Sequence, residues 1–206
     1  MCDLVDWDVF EEKLRSVLPV KNDEITKVYG GEPFDLEEMI EQFRQIREWL
    51  APMVVDAIDL VERYLREDKM VLFEGAQANM LDINYGTYPF VTSSSPTSAG
   101  VCEGAGVAPQ KLDRIIGIVK AYASRVGEGP FITEQLNEIG DSLREKGAEY
   151  GATTGRPRRT GWLDLPVVKQ AVRINGITDI AITKIDILTG YDQIPVCIGY
   201  DIDGEV

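Results

Sequence analysis

The chain has 206 residues, 44% of them hydrophobic and 27% charged, with a formal net charge of −14. That is enough apolar material to pack a core in one large domain or two small ones, and it excludes a wholly disordered chain. The negative total excludes broad binding to DNA or RNA, whose phosphates such a surface repels, but leaves room for a small anion in a local basic pocket.

No apolar run approaches the roughly 18–20 residues of a membrane helix. The opening "MCDLVDWDVFEEKL" lacks the apolar stretch of a secretory signal. The expectation is a cytoplasmic protein with no membrane partner. Cys2, Cys102 and Cys197 lie far apart, outside any C-x-x-C pattern, and read as reduced thiols with no zinc or disulfide frame. Histidine is absent. This excludes a histidine base, a Ser-His-Asp triad and a histidine metal ligand, so acid–base chemistry must use carboxylates, lysines or tyrosines, or be completed from outside the chain.

In chain order, Val5 to Leu18 carries Val5, Val9, Phe10, Leu14, Val17 and Leu18 at helical spacing. "GGEPFD" breaks the pattern, and Asp35 reads as an N-cap with Glu38 at the capping-box position. Met39, Ile40, Phe43, Ile46, Trp49 and Leu50 continue a helical stripe. Pro52 is expected to start another helix, running through Val54, Val55, Ile58, Leu60, Val61 and Leu65. Residues 1–69 thus read as a helical subdomain, scaffold or lid, without chemistry of its own.

The texture changes at "KMVLFEGA". Met70 to Phe73 reads as a buried strand closed by a turn. A long Gly-, Ser-, Thr- and Pro-rich loop follows from Gly75 to about Pro109, and loops of that length in a compact domain are functional or disordered. "KLDRIIGIVKAYASRV" reads as a helix or a helix-to-strand passage. "TEQLNEIGDSLREKGAEYG" is predicted helical, with Gly147 near its end. "LDLPVVKQAVRING" is a helix with Pro166 in its first turn and "NG" as its stop. Ile180 to Ile182 is a strand, "QIPVCIGYDID" a further one, and "DGE" a hairpin turn, with a strand-like pattern reaching Val206. A natural domain seldom stops in such a pattern, so the chain is expected to be part of a longer one. Strands alternating with helices over residues 70–206 give an α/β class, a mixed or parallel sheet with flanking helices.

Four stretches carry candidate chemistry. In "EGAQ", Gly75 turns the backbone sharply and Gln77 offers a donor and an acceptor, suited to a base or a phosphate; a plain polar turn fits as well. "VTSSSPTS", with Thr92, is either a linker or a phosphate cradle of hydroxyls and backbone N–H groups. "GATTGRPRRTG", from Gly151 to Gly161, has no acid in an acidic chain. Arg156, Arg158 and Arg159 bring planar forks that match carboxylate and phosphate, Thr153 and Thr154 add hydroxyls, and Gly155 and Pro157 shape the backbone. A small dianion fits this loop; a basic surface loop is the alternative. In "TKID", Lys184 and Asp186 follow a strand. A carboxylate there can accept two hydrogen bonds from a guanine edge while the lysine stem covers the base, a pattern similar to the guanine-reading N/T-K-x-D motif of GTP-binding proteins. A solvated strand end is the other reading.

Taken together and in order, "VLFEGAQANMLDINYGTYPFVTSS", "KAYASRVGEGPFITEQ", "GATTGRPRRTGWLDL" and "TKIDIL" resemble the adenylosuccinate synthetase family. The resemblance covers the whole chain, most strongly from Val71 on. It implies a P-loop-related fold and a GTP-dependent ligase that joins IMP to L-aspartate in AMP biosynthesis. In that family GTP phosphorylates the 6-oxygen of IMP and the aspartate amine displaces the phosphate.

Carried over by position, Gln77, Thr92, Val126 and Arg156 resemble IMP contacts, with Thr92 at the phosphate. Ala152, Thr153, Thr154, Gly155, Arg156, Pro157 and Arg158 resemble the loop that closes over aspartate. Arg158, Lys184, Ile185 and Asp186 resemble GTP contacts. The family's phosphate loop, its catalytic Asp and His, and its Mg²⁺ ligands have no match here, so catalytic and metal residues are expected outside the chain, which should be inactive alone. Asn84, Tyr85 and Ser95 depart from the usual pattern. The family also implies a homodimer. The alternative reading is a non-catalytic GTP- or nucleotide-binding module, or a dimerisation module.

Overall fold

The structure is a computed structural model that describes residues 1–204. The chain divides into two compact units, Met1–Asp68 and Lys69–Val206.

The first unit is helical: α1 (Cys2–Val5), α2 (Trp7–Lys27), α3 (Leu36–Leu50) and α4 (Ala57–Arg66). Its small core holds Leu4, Leu18 and Ile40. Phe10 of α2 packs against Phe43 of α3 in a tilted pair with ring centres 5.1 Å apart. The α2–α3 connection is fastened by Asn22, whose amide bonds both the N–H and the carbonyl of Phe34. Asp35 caps α3, accepting from the N–H of Glu38 at 2.8 Å. The reciprocal half of the box is absent, because the Glu38 carboxylate accepts from Gln42 instead. Helix α2 runs past the predicted end at Leu18 and carries Pro19 inside it. Pro52 does not start α4. It sits in a single helical turn, Ala51–Met53, and α4 begins at Ala57 because Asp56 accepts from the N–H groups of Ile58 and Asp59. A side-chain cap satisfies free N–H groups, which a proline ring cannot do.

The second unit is α/β. It contains α5 (Ser98–Ala105), β1 (Ile116–Lys120), β2 (Ala123–Arg125), α6 (Glu138–Gly147), β3 (Arg159–Gly161), β4 (Leu163–Asp164), α7 (Leu165–Asn175), β5 (Asp179–Thr183) and β6 (Val196–Cys197). β1 and β5 pair in parallel, Lys120 opposite Thr183; β4 and β6 pair in parallel; β2 and β3 are antiparallel, Arg125 opposite Arg159. The core is Ala121, Tyr122, Leu143, Trp162 and Leu188. Trp162 meets Tyr191 edge to face at 5.8 Å. Helix α6 docks on β3 through a bond from the Thr160 hydroxyl to the carbonyl of Gly140.

Asn137 caps α6, accepting from Ile139 and Gly140 at 3.0 and 3.2 Å. Asn137→Ala is expected to cost about 1 kcal/mol, read as a lowered urea midpoint at constant slope; an unchanged midpoint would remove the cap from the account of this helix.

Several sequence expectations change here. Met70 to Phe73 is not a strand, and Met70 and Leu72 are 99% and 86% exposed. A segment becomes a strand only where a neighbouring backbone takes its N–H and C=O groups, and this one has no ladder partner among the described residues. Of the two readings of "KLDRIIGIVKAYASRV", the full helix is not found: the stretch leaves a helical turn at Pro109–Lys111 and passes into β1 and β2, since Ile115, Ile116, Ile118 and Val119 find β5 alongside. Helix α6 starts at Glu138, not at Thr133, because Glu134 bridges to Gly161. The long loop is not structureless: it holds a helical turn at Asn79–Leu81 and α5. The last predicted strand shrinks to Val196–Cys197. Asp203 and Gly204 do turn, but Glu205 of the "DGE" turn and the pattern reaching Val206 lie outside the described residues. Helix α7 behaves as predicted, with Pro166 in its first turn and left-handed Gly176 as its stop.

Candidate functional site

The parallel pair sets the site's location. β1 ends at Lys120, and β5 is followed directly by Lys184, so both lysines stand at the carboxyl edge where α/β sheets present ligands. Glu149 comes up to this edge from the end of α6. Ala148 there adopts the left-handed conformation at φ 49°, and the Glu149 N–H donates to the carbonyl of Arg144 at 2.9 Å.

The Glu149 side chain is fully buried. One oxygen accepts from Lys120 Nζ at 2.8 Å and from the Tyr122 hydroxyl at 2.6 Å; Lys184 Nζ lies 3.5 Å from the same oxygen. The other oxygen accepts from Arg158 Nη1 at 2.8 Å. Burial alone pushes this carboxyl up. Hydrogen bonds from Lys120, Tyr122 and Arg158 outweigh it and bring the carboxyl down to about 2. Burial, and then the Glu149 carboxylate, push the Tyr122 phenol up, which keeps it a donor. Three cations around one carboxylate leave a local positive centre in an acidic chain. Gly147 makes the close packing possible, since a Cβ there would stand 2.2 Å from the Tyr122 hydroxyl oxygen.

The acid-free loop splits its arginines. Arg156 is exposed, and its backbone carbonyl accepts from Gly151 N at 2.9 Å, which closes the turn through Ala152, Thr153, Thr154 and Gly155. The Thr154 hydroxyl accepts from the Arg156 N–H at 3.4 Å. Arg158 is half-buried against Glu149, and its buried Nε has no partner among the described residues. Arg159, expected to be a third anion fork, has another use. It forms a two-pronged pair with Glu134 and donates to the carbonyls of Gly127 and Gly129. Its register on β3 turns it toward the "GEGP" turn rather than toward Glu149.

At the "TKID" turn, Lys184 has a left-handed backbone at φ 56°, and its ammonium donates to the carbonyl of Gly147. Ile185 and Asp186 are exposed, and the Asp186 carboxylate has no hydrogen-bond partner among the described residues. Gln77 is likewise left-handed, at φ 63°, and exposed. Such strain in a non-glycine residue costs of order 1–3 kcal/mol and gathers at working sites. Gln77 lines a cavity of about 440 Å³ between the "EGAQ" turn and Ser94 to Thr97, with Gly100 and Gly104 of α5 along it. A larger hollow of about 790 Å³ along α4 is lined by none of the candidate site residues.

The long loop is held in place by side chains the sequence reading passed over. Arg125 Nη2 donates to the Thr87 hydroxyl at 2.9 Å and to the Phe90 carbonyl at 3.2 Å. This ties the loop to the strand that leads into Val126, which is 56% exposed. Asn175 at the end of α7 accepts from Ser98 N at 2.7 Å and donates to Asn79 at 2.8 Å. The Thr92 N–H donates to the Leu81 carbonyl at 2.8 Å.

The structure thus brings Arg158 and Lys184 onto one carboxylate. Gln77, Thr92, Val126 and Arg156 make no side-chain hydrogen bond to that cluster among the described residues. Glu149, Lys120, Tyr122 and Arg125 were missed. The one mark the sequence gives Glu149 is its place as the last acid before a run of fourteen residues without one.

The family model described as adenylosuccinate synthetase matches residues 1–206. The adenylosuccinate synthetase of Fusobacterium nucleatum is 56% identical over the whole chain, and that of Caldicellulosiruptor bescii 55%; the chain spans 48% of each of them. A solved structure of fully ligated adenylosuccinate synthetase from Plasmodium falciparum superposes with a TM-score of 0.82 at 42% identity, over 94% of this chain and 45% of that one. A cyanophage S-2L succinoaminodeoxyadenylate synthetase shares the fold at 22% identity and a TM-score of 0.52, over 63% of this chain. With a family model over its full length and relatives above half identity, this chain belongs to the adenylosuccinate synthetase family.

Proposed function

We propose that this chain forms the IMP-, aspartate- and guanine-contacting part of a GTP-dependent carbon–nitrogen ligase, one that joins IMP to L-aspartate and releases adenylosuccinate, GDP and phosphate in purine biosynthesis. The observation that carries the proposal is Glu149's joint hold on Arg158 and Lys184. Two stretches that look independent in the sequence, the acid-free loop and the strand-end turn, share one buried carboxylate.

In this reading Asp186 accepts from the guanine N1–H and exocyclic amine, and the Lys184 stem covers the base, with Ile185 between them. The loop Ala152 to Arg158 closes over the aspartate carboxylates, with Arg156 also meeting IMP and Arg158 also meeting GTP, and its fixed charge stabilises the charge that develops as the bond forms. Gln77 and Thr92 hold IMP at its base and its phosphate, and Val126 packs beside the ribose. Proton transfer belongs to groups outside this chain. Magnesium accompanies GTP in such chemistry. Among the described residues no three Asp, Glu or Cys gather to hold an ion, so the residues present do not fit a metal site and no step here runs through one. A cytoplasmic homodimer is part of the same proposal.

Calorimetric titration of the 206-residue chain with GTP, ATP and IMP tests it. GTP is expected to bind at least tenfold more tightly than ATP. Asp186→Asn should erase that preference, because a charge-assisted pair of hydrogen bonds worth about 1.5–3 kcal/mol is lost. Arg156→Ala should weaken IMP about tenfold, the loss of one charged hydrogen bond. A chain that binds none of the three would leave only a structural or dimerisation module.

A further inference from the structure

Arg158 and Lys184 lie 26 residues apart in the chain, and nothing local in sequence holds either one in place. Both are long, flexible cations, and a ligand that meets them unplaced must freeze them at its own expense. The geometry points to Glu149 as a positioning residue that fixes Arg158 and Lys184 relative to each other, so that the guanine turn and the anion loop act as one nucleotide clamp. This rests on the reading above, in which Lys184 faces the guanine and Arg158 reaches GTP from the aspartate loop.

Several observations support it. Glu149 is fully buried, so water does not compete with its protein donors. Its two oxygens are divided, one for Arg158 and one for Lys120, Tyr122 and the more distant Lys184. Lys184 is held a second time, by the carbonyl of Gly147, the residue that ends α6 two positions before Glu149. A shift of this helix end therefore moves Arg158 and Lys184 together. Among the described residues the Arg158 fork is anchored by Nη1 alone, so Glu149 is what fixes its direction. Lys120 contributes the third cation and is held in turn by the Ser124 hydroxyl. Without the carboxylate, three like charges around a single point would repel and splay apart. Arg156, on the IMP side, has no bond to Glu149, so the effect should be selective.

The test compares the intact 206-residue chain with Glu149→Gln, titrating GTP and IMP separately while following thermal melting. Glutamine keeps the size and an acceptor but removes the charge that balances three cations. The expected result is at least a tenfold loss of GTP affinity with IMP affinity held within twofold. Glu149→Asp, charged but one methylene shorter, should lose roughly three- to tenfold for GTP and nothing for IMP; it replaces the glutamine variant if that variant does not melt cooperatively. In the Glu149→Gln background, Lys184→Met should add less than half of its effect in the wild-type background, because the lysine is already misplaced. Equal GTP binding by wild type and variant would overturn the inference and leave the proposed function standing. Parallel loss of GTP and IMP would also overturn it, marking Glu149 as structural only. A wild-type chain that binds no GTP would bring down the proposed function, and this inference with it.

Discussion

Glu149→Ala is expected to lower the unfolding free energy of the α/β unit by about 3 kcal/mol at neutral pH. The variant leaves Lys120, Tyr122 and Arg158 without their shared acceptor, and breaking a buried pair from one side costs of order 3–5 kcal/mol. The cations are 29–37% exposed at their side chains, so water recovers part of the loss and the lower end applies. An independent route gives a similar figure. The carboxyl drops from 4.5 to about 2 on folding, and at about 1.4 kcal/mol per unit this is about 3 kcal/mol.

The same shift sets a pH signature. A folded value below the unfolded one means that the stabilisation is complete above pH 4.5 and is lost as pH falls toward 2. The stability difference between wild type and Glu149→Ala should therefore be flat from pH 5 to 8 and shrink below pH 4.5. Urea titrations of both proteins across that range measure it. A difference under 1 kcal/mol at pH 7, or one that grows as pH falls, would count against the carboxylate cluster.

Leu143→Ala is the second large effect, about 3 kcal/mol. Leu143 is fully buried on the inner face of α6, amid Tyr122, Trp162 and Leu188. Truncation removes three carbons and leaves a cavity that rigid aromatic neighbours cannot fill; such changes cost 2–5 kcal/mol. The void opens beside Tyr122, whose hydroxyl bonds Glu149, so the effect should reach the site. A lowered urea midpoint on the transition of this unit, together with a change in Trp162 emission, is the expected result. A midpoint shift worth less than 1 kcal/mol would show that the core of this unit lies elsewhere.

How much of this was legible in the sequence depends on the range of the interaction involved. The sequence by itself determined the helical first third, the cap at Asp35, and helix α7 with its proline start and glycine stop. Each depends on residues within a turn or two of one another, and local sterics and hydrogen bonding decide them. The four chemical stretches were also legible, because their residue types and order carry the family resemblance.

Only the tertiary structure decided the rest. Whether Met70 to Phe73 or Ile116 to Lys120 becomes a strand depends on a partner distant in sequence, and only the second has one, in β5. The arginines of the acid-free loop look alike in the sequence, but a strand register sends Arg159 to Glu134 while Arg158 reaches Glu149. Glu149 itself, one acid among 35 Asp and Glu residues, has no local mark of burial. Its role comes from the end of α6 meeting the carboxyl edge of β1 and β5, where Lys120, Arg158 and Lys184 converge. Removing a charge from water is tolerated only where several opposite charges are placed around it, and only the folded chain places them.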